Sequence, residues 1–205
     1  MTAKTQAEDH PRMPGQFRLE PSFAAEPFPH AVFDACLDPQ IAEEILDWLG
    51  RDAPWNHVET DFYEQYEFSC YDATEDQAAW LTSRALLDEL REILERTFGC
   101  DLSDEVSVVA HKLVSGHRIG VHNDFIAGEE THRFVVQLNH GLDDSAGGFL
   151  MLFGSKDPAD VKRVLRPTNL SGFAFEISDR SYHAVSAVHS SIRYSVIYSF
   201  FAHVV

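Results

Sequence analysis

The 205-residue sequence predicts a mainly β fold with flanking helices, on two observations. From Val106 onward, eight short runs rich in β-branched and aromatic residues recur at near-regular intervals, separated by turn residues, which is the signature of a closed or double-sheet all-β core. Ahead of them, between Asp38 and Gly99, apolar residues recur at helical spacing instead. With 44% hydrophobic residues, the chain can bury one sizeable core.

Residues 1–16 are polar, interrupted by proline and without periodicity, and read as a disordered tail. Residues 17–205 read as a single domain, with a helical part over 17–105 and the β core over 106–202. A first helix is signalled by Asp38 as N-cap and Pro39 at the first helical position, continuing through Ile41, Ile45, Leu46, Trp48 and Leu49 to Gly50. A second starts at the capping box Thr74-x-x-Gln77 and carries Trp80, Leu87, Leu90, Leu94 and Phe98 to a stop at Gly99. Both stripes are core faces that would buttress a sheet. Between the helices, His57 to Tyr71 is dense in aromatics: Phe62, Tyr63, Tyr66, Phe68 and Tyr71.

The eight β runs are Val106–Val114, Ile119–Phe125, His132–Asn139, Phe149–Phe153, Val161–Arg166, Gly172–Ile177, Tyr182–Val188 and Arg193–Phe201. The second holds His122-Asn123-Asp124. Successive side chains of a strand alternate between its faces, so His122 and Asp124 are expected on one side and Asn123 on the other. Such a pair alone carries little weight: with 11 His and 33 acids, chance produces others, and His57-Val58-Glu59 is one. What sets His122 apart is the company it keeps. His183 follows 61 residues later, Arg193 ten beyond that, and Ser195 two further on.

Two imidazoles and one carboxylate can hold a divalent iron and leave coordination positions open. His111, His117, His132, His140 and His189 could each supply the third ligand, but the spacing to Arg193 favours His183. In the run Arg193–Phe201, Arg193, Ser195 and Ile197 share a face. A guanidinium there is costly to bury unless something pairs with it. An internal salt bridge would meet that cost, and so would a bound carboxylate gripped by Arg193 beside the Ser195 hydroxyl.

His122-x-Asp124, His183, Arg193-x-Ser195 and the intervening Gly147-Gly148-Phe149-Leu150-Met151-Leu152-Phe153 resemble the 2-oxoglutarate- and iron(II)-dependent dioxygenases, in particular their prolyl 4-hydroxylase-like branch. The likeness covers about residues 106–202, and Pro27–Asp34 is similar to the segment that opens many such domains. The resemblance implies a double-stranded β-helix, the jelly-roll or cupin-like core. It implies iron(II) on His122, Asp124 and His183, with 2-oxoglutarate held by Arg193 and Ser195. Dioxygen is then the second co-substrate, and ascorbate a supporting reductant. In this family the segment before the core folds over the active site as a lid, which makes Tyr63 and Tyr66 candidate substrate contacts. The implied reaction hydroxylates an unactivated carbon of a small metabolite, amino acid or peptide residue and releases succinate and CO2. One departure is Leu113, at a position where many members of the branch carry a tyrosine that contacts the co-substrate. The alternatives are a cupin-like metalloenzyme that does not use 2-oxoglutarate and a catalytically silent β-helix binding module.

Charge narrows the choice of partner. Residues 1–51 carry nine acids and four bases, residues 52–105 fifteen and three, and residues 106–205 nine and nine, giving −5, −12 and 0. An acidic middle segment repels phosphate backbones, so no nucleic-acid partner is expected. No long apolar run indicates a membrane span and no charged-then-apolar N-terminus a signal peptide. Cys36, Cys70 and Cys100 are odd in number and far apart, which fits reduced packing thiols in a cytoplasmic protein. The expected partner is a small-molecule or peptide substrate; the sequence leaves the oligomeric state open. No nucleophile elbow, Walker loop or dinucleotide fingerprint is present.

Overall fold

The computed structural model describes residues 21–140 and 143–203; the tail predicted over residues 1–16 lies outside them. Twelve strands are present among the described residues: β1 Ser22–Ala24, β2 His30–Phe33, β3 Asn56–Glu59, β4 Glu64–Ser69, β5 Leu102–Leu113, β6 Ile119–His122, β7 His132–Leu138, β8 Leu150–Phe153, β9 Val161–Leu165, β10 Gly172–Glu176, β11 His183–Val185 and β12 Arg193–Ala202. They form two antiparallel sheets, an eight-stranded one ordered β1-β2-β10-β7-β12-β5-β4-β3 and a four-stranded one ordered β6-β11-β8-β9. From β5 to β12 the chain passes back and forth between the sheets, and these eight strands are the eight runs expected. This is a double-stranded β-helix.

Alternation along the central strands builds two layers. In β12, Tyr194, Val196, Tyr198 and Phe200 pack toward the helices with Val106, Val108 and Ala110 of β5 and Phe134, Val136 and Leu138 of β7. The opposite face of the same strands looks into the space between the sheets. There it carries Arg193, Ser195 and Ile197 from β12, His111 from β5, and Arg133, Val135 and Gln137 from β7. A second apolar cluster, including Phe28, Leu113, Leu150, Leu152, Phe173 and Phe175, closes that space. Leu113 is fully buried in it.

The first helix, α1, runs Pro39–Arg51, one residue beyond Gly50. The Asp38 carboxylate accepts from the Gln40 and Ile41 backbone N–H groups, which have no partner within the helix. The second predicted helix is two: α2 Asp76–Leu81 and α3 Arg84–Phe98. The break falls at Thr82-Ser83, where the Thr82 hydroxyl donates back to the Ala78 carbonyl at 2.8 Å and competes with helix continuation. Nor does the capping box form, because Glu75 is the N-cap and its carboxylate accepts from the Thr74 N–H instead. Gly99 ends α3 in the left-handed conformation, as expected.

Four strands lie outside the eight. β1 and β2 extend one edge of the large sheet and the β3–β4 hairpin extends the other. β1, β2 and β3 are only three or four residues long and β4 mixes charges with aromatics, so no long alternating or β-branched run announces them.

Candidate functional site

His122 is the last residue of β6 and lies opposite His183, the first residue of β11, in the small sheet. Each ring Nδ1 lies 2.8 Å from the backbone carbonyl two residues earlier, Gly120 for His122 and Ser181 for His183. A carbonyl only accepts, so Nδ1 carries the proton in both rings and Nε2 presents a lone pair in the neutral form. Both Nε2 atoms turn toward Asp124, at 3.3 Å from Oδ1 for His122 and 3.1 Å from Oδ2 for His183. Orienting hydrogen bonds of this kind are what metal-ligating histidines use.

Asp124 does not continue the strand, contrary to the alternation argument. β6 ends at His122, and Asp124 has φ 58°, in the left-handed region. Aspartate tolerates that conformation better than most residues. Asn123 stabilises it, its side-chain oxygen accepting from the Phe125 N–H at 3.2 Å. The Ser181 hydroxyl donates to the Asn123 carbonyl at 2.8 Å, tying the two ligand-bearing segments together. Convergence of His122 and Asp124 therefore comes from a bend, not from pleating.

Arg133, which no sequence motif singles out, donates to Asp124 Oδ2 at 2.6 Å and also bonds Glu130. Burial alone would raise the Asp124 pKa, but the His122 and His183 rings at its two oxygens and the Arg133 charge hold the carboxyl well below the usual range. Burial and the neighbouring His122 lower the pKa of His183. Asp124 is thus held as a carboxylate and His183 is biased toward its neutral imidazole, forms that bind a cation.

Arg193, Ser195 and Ile197 line the same cavity of about 240 Å³ as the three metal-type side chains. Arg193 is 3% exposed. Its Nη1 donates to Ser195 Oγ at 3.3 Å, while Nε is buried without a partner. No carboxylate pairs with it among the described residues, and burial pushes its pKa down to about 10. The internal salt bridge considered from the sequence is therefore not formed. Gly148 packs here: a Cβ on it would stand 3.0 Å from Arg193 Cδ, and its φ is +71°.

Of the two tyrosines, Tyr63 lines the cavity and Tyr66 does not. β4 alternation sends Gln65 and Glu67 inward, and Tyr66 to the other face, where its ring stacks on His117 and carries the Lys112 ammonium at 4.6 Å. Phe62 does reach the site, with its ring 5.5 Å from that of His122. His111 also lines the cavity, and burial drives its pKa down to about 3, so it is neutral. Arg133, Gln137 and His111 fall on runs that the sequence marks as strands; what it lacked was the pairing that says which face is inward.

No family model matches the chain, and no curated protein matches it significantly. Solved structures do share its fold. A Pseudomonas putida prolyl-4-hydroxylase superposes with a TM-score of 0.71 at 17% identity, over 85% of this chain and 93% of that one. An oxidoreductase of the 2OG-Fe(II) oxygenase family from Burkholderia pseudomallei gives 0.65 at 17% identity, over 85% of each chain. A Trichoplax adhaerens prolyl hydroxylase, in complex with a peptide fragment of the hypoxia inducible factor oxygen degradation domain, gives 0.69 at 13% identity, over 84% and 83%. At these identities the likeness is one of architecture: the chain has the double-stranded β-helix of the prolyl hydroxylase structures.

Proposed function

We propose that the protein is an iron(II)- and 2-oxoglutarate-dependent dioxygenase that hydroxylates an unactivated carbon, with release of succinate and CO2. One observation carries the reading. A two-histidine, one-aspartate group and a buried arginine without an acidic partner among the described residues face the same small cavity. A protein gains nothing from an unpaired buried guanidinium unless a ligand supplies the anion.

His122, Asp124 and His183 would hold the metal through Nε2, a carboxylate oxygen and Nε2, and three protein ligands leave positions for co-substrates. Iron(II) bound there would supply the oxidising chemistry. Arg193 would grip the distal carboxylate of 2-oxoglutarate, with the Ser195 hydroxyl beside it. Phe173, Phe175 and Ile197 wall the cavity with hydrocarbon and limit water. Phe62 and Tyr63 flank its metal end, where the target would enter. At about 240 Å³ the cavity is smaller than the ~300–1,000 Å³ of drug-sized sites. That size suits a small dicarboxylate plus one protruding group, such as an amino-acid side chain or a compact metabolite. The peptide complex of the Trichoplax prolyl hydroxylase is compatible with a peptide target here. No helix among the described residues is long and apolar enough to cross a membrane. The three free cysteines accord with a cytoplasmic setting.

The test is to mix protein, iron(II) and 2-oxoglutarate under air and measure succinate, alone and with a panel of amino acids, metabolites and peptides. Succinate above the level of an Asp124→Ala control, and a 16-dalton gain on one panel member, are expected. Absence of succinate throughout would leave a cupin-like metal site or a silent binding module.

A further inference from the structure

A second group of two histidines and one carboxylate lies outside the cavity. His57 of β3, Glu64 of β4 and His117 of the turn after β5 place three donor atoms within 4.8 Å of one another, as do His122, Asp124 and His183. His57 Nε2 stands 3.1 Å and His117 Nε2 3.3 Å from the same oxygen, Glu64 Oε1. The corresponding spacings in the first group are 3.3 and 3.1 Å. The neighbour that made His57 look like a motif, Glu59, is not the one used; strand pairing brings Glu64 to it across the hairpin instead.

We propose that His57, Glu64 and His117 form a second divalent-metal site, of the zinc type, separate from the one in the cavity. Two imidazoles, one carboxylate and a solvent-filled fourth position suit tetrahedral zinc. Two features of the surroundings support it. His117 is 6% exposed and turns its Nε2 to the cluster. The Tyr66 ring lies parallel to the His117 ring at 5.6 Å and contacts His57 at 5.0 Å, which holds both imidazoles in place. His57 and Glu64 are each 43% exposed, leaving an ion a route in from solvent. The net charge of −17 favours cation entry.

Bound there, the ion would clamp the β3–β4 hairpin to the approach to β6. The two already meet through the Glu64 N–H on the Arg118 carbonyl at 3.3 Å and the Gly120 N–H on the Phe62 carbonyl at 2.7 Å. Gly120 admits that approach, since a Cβ would stand 3.1 Å from the Phe62 oxygen. The clamped hairpin carries Phe62 and Tyr63, so the site fixes the segment that covers His122.

The experiment is an anaerobic zinc(II) titration of the chelator-stripped full chain, read by bound metal per chain after gel filtration. A cobalt(II) titration adds visible absorption as a second readout. Two equivalents are expected for the natural protein and one for His57→Ala, whose exposed position keeps folding intact by circular dichroism. An Asp124→Ala/His183→Ala variant should retain one equivalent, and the combination none. Unchanged stoichiometry in both His57→Ala and Glu64→Gln would overturn the second site. Loss of an equivalent in His57→Ala but not in Asp124→Ala/His183→Ala would overturn the cavity site instead, so the two failures are distinguishable.

Discussion

Arg133 donates to Asp124 at 2.6 Å from the neighbouring sheet, so the carboxylate of the metal-type group is held by a cation from the large sheet while its histidines come from the small one. Because Arg133 is itself bonded to Glu130, its position is set before any metal arrives. Arg133→Met should therefore lower metal affinity about 10- to 100-fold, the usual effect of removing a partner that orients a ligand. Anaerobic cobalt(II) titration measures this; an unchanged affinity would remove Arg133 from the role.

Arg193 leads to an unusual pair of signs. Replacing a buried, unpaired guanidinium with a hydrocarbon of similar length should stabilise the ligand-free protein, since no internal ion pair is lost. The same Arg193→Met change should raise the 2-oxoglutarate requirement about 10- to 100-fold, the worth of a charge-assisted hydrogen bond. Thermal unfolding with and without 2-oxoglutarate reads both. A lower melting temperature without ligand, coupled with unchanged co-substrate dependence, would contradict both signs.

Gly148→Ala tests the packing behind that arginine. A left-handed φ penalises alanine by about 1 kcal/mol, and the added methyl at 3.0 Å presses on Arg193 Cδ. The expected result is a modest drop in melting temperature together with a several-fold weaker 2-oxoglutarate response. Gly116→Ala, also at positive φ but with nothing within 4 Å, should show the stability loss alone.

His132 makes stability depend on pH. Burial lowers its pKa to about 4, against an ordinary value of 6.5. Between those values the unfolded chain binds a proton that the folded chain does not, so stability is full above pH 6.5 and falls as pH drops toward 4. The loss should be on the order of 3 kcal/mol, because one proton of difference in binding is worth about 1.4 kcal/mol for every pH unit crossed. Urea unfolding from pH 7 to pH 4.5 measures it, and His132→Gln should flatten this part of the profile.

The eight β runs were readable because each is a short apolar or alternating segment between turn residues, and hydrophobic periodicity is a local property. Asp38-Pro39 marked the start of α1 for the same reason: capping involves neighbours along the chain. The ordered set His122, Asp124, His183, Arg193 and Ser195 was visible as spacing, and the fold brings all five to one cavity. Local chemistry also misled where it was ambiguous. The Thr74-x-x-Gln77 pattern fits a capping box, yet Glu75 takes the cap, and Thr82 interrupts what periodicity shows as one helix.

Tertiary structure alone decided which face of each strand is inward. A strand's alternation gives two sets of side chains and no label for either. Pairing of β4 with β5 put Tyr66 outside and left Tyr63 at the cavity; pairing of β12 with β5 and β7 assembled His111, Arg133 and Gln137 beside Arg193. The same holds for Asp124, whose approach to the histidines depends on a left-handed bend held by Asn123 and Ser181. It holds too for Glu64, which meets His57 and His117 only because a hairpin and a turn dock together. Sequence by itself determined the elements and the residue types able to hold a metal and an anion. Contacts between residues distant along the chain determined which of those residues meet, because such contacts depend on register and docking, which short-range pattern does not encode.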